Sequence, residues 1–87
     1  MNNILHLILY RKYFNQIVEG TKTIEYRDKT GYWKKRIESR EYRYIKFRNG
    51  YAKDAPIMLV EYLGYEDGGD RYELKLGKII HIQNWEK

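Results

Sequence analysis

The chain has 87 residues, and 17 Lys+Arg against 12 Asp+Glu give it a net charge of +5. That length fits one small domain with a limited core. With no cysteine it has no disulfides, thiolate chemistry or cysteine-based zinc site, and its two histidines, His6 and His81, are too far apart in sequence to suggest a histidine-rich metal site.

No metal or cofactor is therefore expected. No apolar run is long enough to span a bilayer, and Ile4 to Tyr10 is too short for a signal-peptide core, so no membrane association and a cytoplasmic location are expected. The charge is uneven. There are 13 basic and 6 acidic residues through Asp54, then 4 basic and 6 acidic. Seven of the ten tyrosines lie in the basic part. Cations interleaved with aromatic rings suit a nucleic-acid surface, where charge neutralises phosphate and rings stack on bases. The same tyrosines also suit strands with core-facing rings.

Ile4 to Tyr10 is almost continuously apolar and predicts a first strand covered on both faces. Arg11 to Gly20 predicts a helix. Tyr13, Phe14, Ile17 and Val18 recur at helical spacing as its core stripe, and Gly20 is its C-terminal cap. A second strand opens within Gly20-Thr21-Lys22-Thr23-Ile24-Glu25-Tyr26-Arg27. Ile24 and Tyr26 fall on one face; Thr23, Glu25 and Arg27 fall on the other, with Lys22 at the corner able to turn toward them. That polar face is either a solvated outer surface or the lining of a site. Asp28-Lys29-Thr30-Gly31 is a turn, with Thr30 placed to cap a short basic helix to about Ser39. Trp33 on this helix, beside Lys34, Lys35 and Arg36, is a candidate for phosphate or base contact.

Glu41 to Arg48 alternates as a strand. Asn49-Gly50 is a turn signal, and Arg48, Asn49 and Tyr51 bring a guanidinium, an amide and a ring together, groups suited to reading a base or a phosphate. Tyr10 is a further candidate. Ile57 to Tyr65 is a long strand holding one carboxylate, Glu61, and an acidic hairpin tip, Glu66 to Asp70, follows it. Arg71 to Leu76 returns as a strand, Gly77 marks a bend or bulge, and Lys78 to Gln83 makes a last strand. The expected order is β-α-β-α-β-β-β-β. The expected fold class is α+β, a small bent barrel of about five or six strands with one or two helices closing one end.

The spacing Gly20-x-Lys22-x-x-Glu25-x-Arg27 after a strand and a helix resembles the ASCH domain of the PUA-like superfamily. Phe47-Arg48-Asn49-Gly50-Tyr51 and Leu76-Gly77-Lys78-Ile79-Ile80 are also similar to small bacterial and phage members. The resemblance covers nearly the whole chain. It implies a PUA-like β-barrel and a cleft between barrel and helix, lined by Lys22, Glu25 and Arg27, that binds RNA or nucleotides. Some small members resemble hydrolases that remove an acyl group from N4-acetylcytidine with a lysine, a threonine and a glutamate. Lys22 matches the lysine, but Glu25 stands at the threonine position. Thr21 or Thr23 would have to substitute, and Glu61 is the later glutamate on offer.

If the protein were an enzyme, Lys22 and Glu25 would be the catalytic groups. Burial and repulsion from Arg27 would favour a neutral Lys22 able to act as a general base, whereas Glu25 would keep it a charged contact. The spacing favours the charged contact. The readings are an RNA- or nucleotide-binding module, a small hydrolase of a modified nucleoside or of RNA, and a basic face that binds another protein. A monomer or weak dimer is expected. Lys22→Ala and Arg27→Ala are expected to weaken binding with little loss of stability.

Overall fold

The computed structural model describes residues 3–85. The elements in chain order are β1 (Ile4–Ile8), α1 (Arg11–Glu19), β2 (Ile24–Asp28), α2 (Gly31–Glu38), β3 (Tyr44–Arg48), β4 (Ile57–Asp67) and β5 (Arg71–Gln83). The strands form one mixed sheet in the order β1-β3-β4-β5-β2. β1 runs parallel to β3, with Ile8 opposite Arg48, and every other pairing is antiparallel. Parallel neighbours need a crossover connection, and here α1, β2 and α2 all lie within it. The sheet curls into a half-barrel, so this is an α+β, barrel-like fold.

The two edge strands, β1 and β2, meet through one side chain: Arg27 Nη2 on β2 donates to Ile8 O on β1 at 3.1 Å. The core fills the concave side. Leu7, Phe14, Ile37, Phe47, Met58 and Leu74 bring β1, both helices, β3, β4 and β5 into one cluster. Burying such side chains is what holds so small a sheet together, at about 1.5–3 kcal/mol each.

The helix ends follow local chemistry. Gly20 closes α1 in the left-handed region, φ 84°, where a side chain would be strained, and its N–H returns to Gln16 O and Ile17 O. Thr30 caps α2 by accepting from the Trp33 N–H at 3.3 Å.

Two expectations change. β1 is not covered on both faces: Leu5 and Leu7 are buried, but His6 and Ile8 are exposed, because no element among the described residues covers that outer side of the strand. The two final strands are one, since Arg71–Gln83 runs through Gly77 without a break, leaving five strands. Gly77 does mark an irregularity, since the register of β4 against β5 shifts beside it. It also gives room, because a Cβ there would clash with Glu61 Oε1.

Among the described residues no helix is long and apolar enough to cross a membrane.

Candidate nucleic-acid interface

β2 pairs with β5 so that Glu25 stands opposite Leu74 and Arg27 opposite Tyr72. Cross-strand partners share a face, and Leu74 and Tyr72 point inward. The polar face of β2 is therefore the inner face, not a solvated outer one, and Tyr26 is exposed. Glu25 is 5% exposed and is, among the described residues, the one charged residue that is buried.

A buried carboxylate needs partners, and Glu25 has two cations. Arg27 donates to Glu25 Oε2 through Nη2 at 2.7 Å and Nε at 3.0 Å. Lys22 Nζ lies 3.3 Å from Oε1. Gly20 ends α1 two residues before Lys22, which is why the lysine sits at the corner and turns back to the strand. Its ammonium also lies 5.3 Å from the ring centroids of both Tyr13 and Tyr26. Lys22 is thus paired with the Glu25 carboxylate.

Beside this pair opens a cleft of about 620 Å³. Its floor includes Glu25 and Arg27, and its walls are the end of β1, the start of α1 and the loop after β3. Tyr10, at the start of α1, is 80% exposed, and Tyr51 on the loop is 85% exposed. Asn49 lines the cleft and ties its walls together, its Nδ2 donating to Leu9 O at 3.0 Å. Leu9 N returns a bond to Arg48 O at 2.9 Å.

Five sequence candidates therefore meet in the cleft: Tyr10, Glu25, Arg27, Asn49 and Tyr51. Lys22 stands behind Glu25 rather than in the lining. Arg48 is placed elsewhere: its guanidinium donates to Gly50 O at 3.0 Å and to Ala52 O, bracing its own loop. Trp33 packs against the core, with its ring 5.1 Å from the Arg27 guanidinium carbon. Tyr13, expected in the core stripe, is 40% exposed and lines the cleft. Phe14 and Ile17 carry the burial of that helix instead. Arg11 and Tyr13 are lining residues that sequence reasoning missed. Their signal was position, since both lie in the first turn of the helix beside Tyr10.

The residues offered for hydrolysis do not meet there. Thr21 and Thr23 are exposed outside the cleft, and Thr21 Oγ1 donates to Gln16 O at 3.2 Å. Glu61 lies at the β4–β5 shift, accepting from Lys78 N at 3.3 Å. Among the described residues no group of three or more His, Asp or Glu could hold a metal ion.

The acidic hairpin neutralises nearby lysines: Asp67 pairs with Lys29 and Glu66 with Lys75. The bond from Lys29, then the Gly69 N–H, holds the Asp67 carboxyl below its ordinary value. By contrast, Lys34, Lys35, Arg40, Lys46 and Lys53 form no ion pair among the described residues. Comparison with known proteins finds no matching family model, no matching curated protein and no matching solved structure.

Proposed function

We propose that the protein is an RNA- or nucleotide-binding domain of the ASCH kind, with a PUA-like half-barrel, that takes its ligand in the cleft beside Glu25 and Arg27. What carries the proposal is the convergence of two solvent-exposed rings, Tyr10 and Tyr51, with the buried Glu25–Arg27 pair and Asn49 in one concavity. Rings left in water add little to the stability of the fold. At the lip of a cleft they are stacking platforms for unpaired bases. Arg27 offers charge for a phosphate, and a carboxylate floor accepts hydrogen bonds from base amino groups. The cations that form no ion pair supply the long-range attraction.

The test is a titration of labelled single-stranded RNA oligomers at two salt concentrations, read by fluorescence anisotropy. Tyr10→Ala and Tyr51→Ala are the variants of choice, because neither ring supports the core. Each should weaken binding by about tenfold, and wild-type affinity should fall with added salt. Binding absent in wild type, or unchanged in both variants, would refute the proposal.

A further inference from the structure

Resting on that reading, we infer that the ligand is a single-stranded polynucleotide that continues out of the cleft over α1 and the β2 edge, rather than a mononucleotide held in the cleft alone. Rings and cations follow one another along this line. The Tyr10 and Tyr13 ring centroids are 6.5 Å apart. Lys22 Nζ lies 5.3 Å from the Tyr13 and Tyr26 centroids, so it joins the helix to the strand. Beyond it, the Arg71 guanidinium carbon stands 4.2 Å from the Tyr26 ring. Tyr26 and Arg71 share the outer face, because Tyr26 is paired with Glu73 and Arg71 with Asp28, two residues along each strand. Both are exposed.

A second concavity of about 270 Å³ lies on this line, lined by Gln16, Thr21, Lys22, Thr23, Ile24 and Tyr26. The cleft and this groove lie on the two sides of the Tyr13–Lys22–Glu25 contact. A mononucleotide in the cleft has no use for the outer groove. A strand does, because successive nucleotides need ring faces and cations at repeated intervals. The line is also bounded. Past Arg71 lies the acidic tip, where Asp67 and Glu66 already hold Lys29 and Lys75 and so leave those cations little attraction for phosphate. Glu73, opposite Tyr26, and Asp28, opposite Arg71, share that outer face. The span fits on the order of four nucleotides, the low end for a small single-strand binding fold.

The experiment measures affinity for oligouridylates of about two, four and eight nucleotides in wild type and in Tyr26→Ala, Tyr26→Phe, Arg71→Gln and Tyr51→Ala. Circular dichroism checks that each variant is folded. Affinity should rise up to about four nucleotides and then level. Tyr26→Ala and Arg71→Gln should each cost about tenfold for the longer oligomers and lower the ratio of long to short affinity, while Tyr26→Phe, which keeps the ring, should behave as wild type.

Affinity that does not grow with length, or that is untouched by both Tyr26→Ala and Arg71→Gln, overturns the outer track. If Tyr51→Ala still abolishes that binding, the cleft stands alone. Length-dependent binding lost in Tyr26→Ala but kept in Tyr51→Ala supports the track and overturns the cleft. No binding at any length overturns both.

Discussion

Replacing Arg27 with alanine should damage the fold, not only the binding. Glu25 is buried, and Arg27 supplies two of its contacts, at 2.7 and 3.0 Å. The same guanidinium ties β2 to β1 through Ile8 O. Removing one partner of a buried pair leaves a charge without compensation, at a cost of about 3–5 kcal/mol. Lys22 remains 3.3 Å from Glu25, which argues for the lower end, about 3 kcal/mol. In a domain of this length that corresponds to a fall in Tm of roughly 15 °C. Lys22→Ala should cost about 1 kcal/mol, since its contact is longer and its rings give only a modest cation–π return. Adding Glu25→Gln to Arg27→Ala should recover about 1 kcal/mol, because the stranded charge is then gone. Urea denaturation followed by circular dichroism measures all three. If Arg27→Ala stays within about 0.5 kcal/mol of wild type, or if Glu25→Gln deepens its loss, the pair is not the buried contact described. The sequence alone led to a different expectation, that Lys22→Ala and Arg27→Ala would weaken binding with little loss of stability.

Gly20→Ala should cost about 1 kcal/mol through backbone conformation alone, because a Cβ there meets nothing within 4 Å; Gly20→Asn should cost less, as urea midpoints would show. Thr30→Ala should cost about 1 kcal/mol by removing the cap on α2, and Thr30→Ser should restore most of it, both read by thermal melts. Alkaline stability should fall through two tyrosines. Burial, then Tyr65 and Tyr42 nearby, push the Tyr62 hydroxyl from 10.0 up to about 12, and burial, then the Glu38 carboxylate it donates to, push Tyr72 to the same value. Both hydroxyls keep their protons in the fold after the unfolded chain has lost them. Their contribution is therefore complete below pH 10 and is lost as pH rises toward 12. Urea midpoints at about pH 9 and about pH 11 should differ in wild type and differ less in Tyr62→Phe; equal midpoints in wild type would refute the assignment.

Local order was legible in the residues. Helical spacing of Phe14 and Ile17, the Gly20 stop, the Thr30 cap and the alternation of Ile45 and Phe47 each act within a few residues, so the sequence determined both helices and most strands. It also marked Glu25 and Arg27 as out of place on a plain core strand. What it could not determine was which face of β2 turns inward. That depends on the pairing with Leu74 and Tyr72, some 45–50 residues away, and a strand's two faces are equivalent until a partner is chosen. The same limit misplaced Tyr13, whose helical spacing equals that of its buried neighbours, and split β5 at Gly77, where only the approach of Glu61 shows why glycine is needed. The cleft itself belongs wholly to the tertiary structure. Tyr10, Asn49 and Arg27 come together only because β1 lies parallel to β3 and the curled sheet brings its two edges within a hydrogen bond of each other.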